Sequence, residues 1–289
     1  MNKYICVYLR SSAVPLLVLA FFAVPALAQQ QGNAKRGEYL ARAGGCLGCH
    51  TETKDKAVPY AGGRELKTPF GTFYGPNITP EPKAGIGKWS EEDFIRAMRH
   101  GRRPDGANYF PAFPYPSFTK IRETDLRDLW AYLQSLPPSS QPSRPHDLGF
   151  FYRWRFLVTI WKWLYFTPGA FTSIPGGSDV VNRGAYLVQA LGHCGECHTP
   201  RNFLGGPKSG RYLAGGKVEG KDVPNLTPTG LKKWSDRDLQ QFLVAGMTPD
   251  GDFPSEAMAE VITNTTSKLT PDDLAATVAY LRSLSPLPD

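Results

Sequence analysis

The sequence predicts a mainly α-helical protein built as two tandem domains of similar design, joined by a linker that holds an aromatic helix. Three observations carry this: a set of short motifs that occurs twice in the same order, apolar residues at helical spacing in each half, and a proline-rich break between the halves. At 289 residues the chain is long enough for two ordinary domains of ~100–150 residues each.

The first element is a leader. Lys3 and Arg10 supply a basic start, Ala13 to Leu27 an apolar run, and Ala26-Leu27-Ala28 a small-residue cleavage site before Gln29. The apolar run is shorter than the ~20 residues of a membrane span and is interrupted by Pro15 and Pro25. Residues 1–28 therefore read as a cleaved export signal, which places the mature protein in the periplasm. Cleavage takes two cations away from a formal charge of +7. The weakly charged remainder offers no case for nucleic acid, whose binding rests on dense Lys and Arg contacts to phosphate.

Residues 29–138 read as the first domain, 139–178 as the linker and 179–289 as the second domain. Arg36-Gly37-Glu38-Tyr39-Leu40 matches Arg183-Gly184-Ala185-Tyr186-Leu187, and Asn77-Ile78-Thr79-Pro80 matches Asn225-Leu226-Thr227-Pro228. Trp89-Ser90 matches Trp234-Ser235, Pro104-Asp105-Gly106 matches Pro249-Asp250-Gly251, and Ala131-Tyr132-Leu133 matches Ala279-Tyr280-Leu281. Each half thus reads as a helix, a Gly/Pro-rich loop, a middle helix, a second loop and a closing helix. Ser90 before Glu91, Glu92 and Asp93, and Ser235 before Asp236 and Asp238, are N-cap signals for the middle helices. The closing helices are expected from about Thr124 to Leu136 and Thr270 to Leu284, with Leu126, Leu129, Leu133 and Leu274, Val278, Leu281 on their apolar faces. Little strand signal is present.

Pro137-Pro138-Ser139-Ser140-Gln141-Pro142 opens the linker. In the aromatic stretch from Phe150 to Phe166, Phe150, Trp154, Leu157, Trp161 and Leu164 recur at helical spacing, with Arg153, Arg155 and Lys162 on other faces. This predicts one amphipathic helix packed against the domains, and leaves docking on a partner or peripheral contact with a membrane surface open.

Chemistry lies in the cysteines. Cys6 leaves with the leader, and the other four fall in Cys46-Leu47-Gly48-Cys49-His50 and Cys194-Gly195-Glu196-Cys197-His198. Cys-x-x-Cys-His is the attachment pattern of c-type haem: two thiols one helical turn apart bond the two vinyl groups of one porphyrin, and the next histidine reaches its iron. A redox dithiol or a zinc ribbon explains the cysteines but not the histidine after each pair, and two disulfides ignore the spacing. Two covalently bound haem c groups follow, attached through Cys46, Cys49, Cys194 and Cys197, with His50 and His198 on the irons.

A methionine opposite the histidine raises the potential of such an iron. Met258, nine residues after Pro249, is the candidate in the second domain; its competitor Met247 directly follows Gly246 at the end of the middle helix. The same count from Pro104 lands on Phe113, which cannot ligate iron. Met98, His100 and His146 are the other donors in the first half. Met98 aligns with Leu243 and reads as core, His100 reads as a helix end, and His146 falls in the linker. The sixth position of the first iron is left open, vacant or filled by one of these three. Pro200 follows His198 by two residues and has no counterpart after His50, so a carbonyl bond fixing the imidazole is expected at His198 and not at His50.

Taken together, these residues make the chain resemble the cytochrome c subunits of bacterial alcohol, aldehyde and gluconate dehydrogenases. The resemblance runs through Arg36-Gly-Glu-Tyr-Leu40, Gly85-Ile-Gly-Lys-Trp-Ser90, Arg103-Pro-Asp-Gly106, Tyr109-Phe-Pro-Ala-Phe-Pro-Tyr115 and Ala257-Met-Ala-Glu-Val261. It implies tandem cytochrome c domains, and an iron-binding methionine at the middle of the segment Pro111 to Tyr115, where this chain has Phe113 instead. The best-known members of that family carry three haems; two motifs are present here. The resemblance further implies electron transfer from a partner dehydrogenase to a respiratory acceptor, the chain itself being a carrier rather than a catalyst. The alternative is a haem enzyme, such as a dihaem peroxidase or an oxidase of sulfur compounds, that uses an open first haem. The segment Pro111 to Pro116, apolar and aromatic except for Tyr115, argues for shielding of that haem.

Overall fold

The Arg-Gly-x-Tyr-Leu motif that opens each half determines how the halves are built and how they meet. The computed structural model describes residues 32–289; the leader expected at 1–28 lies outside the described residues. In the first half, α1 (Ala34–Ala43) leads into α2 (Cys46–Cys49), followed by the middle helix α3 (Glu91–His100), a single turn α4 (Tyr115–Phe118) and the closing helix α5 (Glu123–Ser135). After α6 (Arg155–Tyr165) the pattern repeats: α7 (Asp179–Tyr186), continued by a π-helical turn over Leu187–Leu191, then α8 (Gly195–His198), α9 (Asp236–Ala245), α10 (Glu256–Asn264) and α11 (Pro271–Ser283).

The glycine of the motif allows the opening helix to cross the closing one at backbone distance. A Cβ on Gly37 would stand 1.9 Å from the Asp128 carbonyl oxygen, and one on Gly184 1.9 Å from that of Ala276, so no side chain fits at either crossing. The arginine then pairs with the closing helix of its own half. Arg36 binds Asp125 and Asp128, and Arg183 holds Asp273 through Nε and Nη2 at 2.7 Å each. The tyrosine crosses to the other half. Tyr39 donates to Asp273, and Tyr186 donates to Asp125, whose side chain is fully enclosed. Each Arg–Asp pair is thus completed by a hydroxyl from the opposite domain.

One apolar core runs across this junction. Leu40, Phe94, Met98, Ile121, Leu126, Leu129 and Leu133 of the first half are packed together with Tyr186, Leu187, Ala190 and Leu191 of the second. Val188, Leu213, Leu231, Leu239, Val278 and Leu281 form the second domain's own cluster. The closing-helix residues expected inside are all at most 6% exposed. The middle helices carry the expected caps: Ser90 with Asp93 and Ser235 with Asp238 form reciprocal capping boxes, and Gly101 and Gly246 end these helices in the left-handed conformation.

Two expectations need correction. Strands are present within the Gly/Pro-rich loops. β1 (Glu65–Thr68) and β2 (Gly71–Tyr74) form an antiparallel hairpin with Leu66 opposite Phe73; β3 (Asp147–Leu148) adds to the far side of β2; and β4 (Ala214–Val218) pairs with β5 (Lys221–Asn225). At two to five residues each they are too short for alternation to stand out from the surrounding loops, and in β2 the neighbours Phe73 and Tyr74 are both buried. The aromatic stretch is also not one helix: a 3₁₀ turn over Phe150–Arg153 breaks at extended Trp154 before α6 begins.

The buried face of α6 is not the expected aromatic one either. Val158 is the one buried residue of α6, and polar groups flank it. Arg155 donates to the Asn108 carbonyl, Thr159 accepts from the Asn108 amide, and Lys162 donates to the Asn108 side chain and the His100 carbonyl. Trp163, Phe150 and Phe156 face solvent, 83%, 65% and 60% exposed. At its far end Tyr165 receives a bond from Asn202 and Trp161 donates to the Leu204 carbonyl, so α6 spans from the Asn108 loop of the first half to the loop after His198 of the second. No helix among the described residues is long and apolar enough to cross a membrane.

Tyr186→Phe leaves the Asp125 carboxylate without its cross-domain donor, in a site with no access to water. The variant should lose about 1–3 kcal/mol of stability, read as a lower midpoint in urea unfolding of the holoprotein; an unchanged midpoint would show the exchange to be incidental.

Candidate haem sites

Each attachment motif forms a single helical turn launched by a sharp bend. α1 ends at Gly44, Gly45 turns the chain with φ +64°, and Cys46 begins α2. The His50 N–H bonds back to the Cys46 carbonyl at 3.0 Å, and that of His198 to Cys194 at 3.0 Å. This turn sets the two thiols of each motif on one face and projects the histidine from its end. The four thiols are not paired in disulfides. Burial pushes the Cys46 and Cys194 thiols up to about 12 and Cys49 to about 11, so these stand as neutral thiols.

Both histidines are oriented by a carbonyl. His50 Nδ1 lies 2.7 Å from the Pro76 oxygen and His198 Nδ1 2.8 Å from that of Pro224. A carbonyl only accepts, so Nδ1 carries the proton in each ring and Nε2 keeps its lone pair for a metal. Desolvation holds both imidazoles below their ordinary value, which favours the same neutral form. The expected asymmetry is therefore absent. The acceptors come from the equivalent Gly75-Pro76-Asn77 and Val223-Pro224-Asn225 segments downstream, at the ends of the two hairpins, and not from the Pro200 segment.

A cavity of about 1710 Å³ joins the two motifs. Its wall takes in Cys49 from the first and Cys194, Cys197 and His198 from the second, together with Trp234, Phe242 and Met258. Met258 sits in the first turn of α10 rather than in a loop, whereas Met247 lies past the Gly246 cap of α9 and is 42% exposed. A deep apolar space bounded by paired thiols, an imidazole with a free Nε2 and a thioether suits an iron porphyrin with one covalent edge and two axial donors.

In the first half, Phe113 packs edge-on against Tyr109, Tyr115 and Phe118 at 5.3, 6.2 and 5.8 Å. Met98 is buried in the core on α3, and His100 is exposed at the end of that helix. His146 packs against Phe73 and Phe110, and its Nδ1 accepts the Tyr74 N–H at 3.2 Å.

Each motif also touches the other domain, which sequence reasoning missed. Ser117 donates to Glu196, inside the second motif, at 2.7 Å. Glu260 of α10 pairs with Arg64, and both Glu260 and Asn264 approach Gly48, inside the first motif. His193, the residue before Cys194, reaches Gly44 and Gly45. The available signal was the repeat itself, which sets His193 opposite Gly45.

The chain belongs to the cytochrome c family: the family model for cytochrome c matches twice, over residues 34–137 and 181–285. Among its relatives, the diheme cytochrome c-type protein of Cereibacter sphaeroides is 44% identical over 87% of this chain and 86% of its own length. The cytochrome c subunit of the quinone alcohol dehydrogenase of Gluconobacter oxydans is 38% identical over 96% of this chain, and that of the gluconate 2-dehydrogenase of Pantoea cypripedii is 38% identical over 93%. This chain spans 60% and 64% of those two proteins. Tandem cytochrome c domains hold two covalently bound haem c groups.

Haem staining and intact mass of the mature protein should therefore report two haems per chain, and the Cys194→Ala, Cys197→Ala double variant one; two haems retained in that variant would contradict attachment at the second motif.

Proposed function

We propose that this protein is a periplasmic dihaem electron carrier that takes electrons from a partner dehydrogenase and passes them to a respiratory acceptor. The observation that carries the reading is the pair of attachment motifs lying on one cavity, each braced by the opposite domain. Relatives named as cytochrome c subunits of alcohol, gluconate and fructose dehydrogenases support the partner class.

Haem c supplies a one-electron iron couple. The chain's residues then set its properties. Cys46, Cys49, Cys194 and Cys197 hold the two groups, His50 and His198 bind the irons through Nε2, and the Pro76 and Pro224 carbonyls fix the rings. Met258 would supply the thioether ligand of the second iron, a reading supported by its place on the cavity wall. In the first half Phe113 takes the chain position at which the resemblance implies a methionine ligand, and it packs among the aromatic rings of Tyr109, Tyr115 and Phe118.

Methionine ligation raises an iron's potential, so the second haem is the higher-potential site, and electrons enter at the first and leave from the second. Even a gap of about 30 mV biases one electron by about 0.7 kcal/mol. A spectroelectrochemical titration decides between the assignments. Met258→Ala should remove the weak near-infrared band of methionine-ligated iron and lower the higher potential, while Met247→Ala leaves both. Phe113→Met should raise the lower potential and narrow the gap. Loss of the band in Met247→Ala, or two unmoved potentials in Phe113→Met, contradicts the reading.

A further inference from the structure

His193 takes part in none of the roles above. It is the residue before Cys194, at the repeat position filled in the first half by Gly45, and it keeps the same left-handed backbone: φ is +38° at His193 and +64° at Gly45. Glycine adopts that conformation without cost, whereas a side chain with a Cβ is strained there. The second half therefore carries strain at the bend that launches its attachment turn, and strain of this kind persists where the surrounding structure has a use for the side chain.

The side chain points across the domain junction. Its Nε2 stands 3.8 Å from where a Cβ on Gly45 would be, beside the bend that launches the first attachment turn. Its ring packs edge-on on Phe118 of α4 at 5.4 Å, and Phe118 in turn touches Phe113. His193 also lies on the wall of the cavity that joins the two sites. One end of the residue is covalently continuous with Cys194, and the other lies against Gly45, next to Cys46. Desolvation keeps the ring below the ordinary imidazole value.

We propose that His193 is the positioning residue that couples the two haem sites, locking the first attachment bend against the second and filling the gap between them with bonded and packed atoms. The inference rests on the reading that electrons pass from the first haem to the second. In that step one electron leaves the first iron, ferrous becoming ferric, and reduces the second from ferric to ferrous; no proton moves, and the imidazole ends as it began. Electron tunnelling decays less steeply through bonded and packed atoms than across a void, so removing the ring slows the step without changing either iron's own ligands.

His193→Gly is the test, because glycine suits the left-handed bend and restores the geometry of Gly45. The holoprotein should keep two haems and both midpoint potentials. Electron relaxation between the haems, followed after photoreduction, should slow several-fold. Amide exchange in peptides covering residues 41–50 and 187–197 should rise together. Unchanged relaxation overturns the coupling role, unchanged exchange overturns the positioning role, and a shift in one midpoint potential would show that His193 acts on a single haem instead. If the unaltered protein shows no relaxation between its haems, the electron-transfer reading fails and the proposal fails with it, an outcome visible before any variant is made.

Discussion

The rest of the structure depends on a reciprocal exchange of tyrosine hydroxyls. Arg36 with Asp125, and Arg183 with Asp273, are ion pairs between the opening and closing helix of one domain; Tyr186 and Tyr39 then cross over to complete the other domain's pair. Burial alone pushes the Asp273 carboxyl up, but hydrogen bonds from Arg183 and Tyr39 outweigh it and hold the group below the ordinary carboxylate range. Buried carboxylates are tolerated when their lone pairs are filled. Here a filled shell requires both domains at once. The two halves therefore form one body with pseudo-twofold symmetry and a shared apolar core, not two beads on a string.

That symmetry brings the attachment turns together. Because α1 and α7 run into the motifs directly, fixing Tyr39 and Tyr186 across the junction brings Gly45 and His193 face to face at the next bend. Glu196 then meets Ser117, and Glu260 meets Arg64 beside Gly48. The linker helix closes the arrangement from outside. Its polar face binds Asn108 and His100 near Phe113, its end binds Asn202 and Leu204 behind His198, and the aromatic residues left over face solvent. Packing that would suffice to bury a helix is thus replaced by directed hydrogen bonds, which hold the ligand-poor loop of the first site in one place.

Much of this was legible in the chain. The spacing of Cys46, Cys49 and His50, and of Cys194, Cys197 and His198, follows from the geometry of one helical turn, and the caps at Ser90 and Ser235 are local signals. The rest was hidden for physical reasons. The hairpins have four or five residues per strand, too few for alternation to stand out, and Phe73 and Tyr74 are buried side by side. The inward face of α6 carries arginine, threonine and lysine because Asn108 offers amide and carbonyl partners, and no periodicity reports a partner 47–54 residues away. The carbonyls that orient His50 and His198 lie 26 residues downstream, so the local proline after His198 was a misleading guide. The tyrosine exchange was unreadable in principle: Arg-Gly-x-Tyr-Leu looks the same whether its hydroxyl stays at home or crosses.

The central claim is that two haems share one interdomain body and are electronically connected through it. Pulsed electron paramagnetic resonance of the fully oxidised protein tests this most directly, since two ferric irons held near each other relax and broaden one another. A dipolar interaction between the two ferric signals, weakened when either attachment motif is removed, is the result expected; two ferric signals that behave as isolated centres would contradict the account.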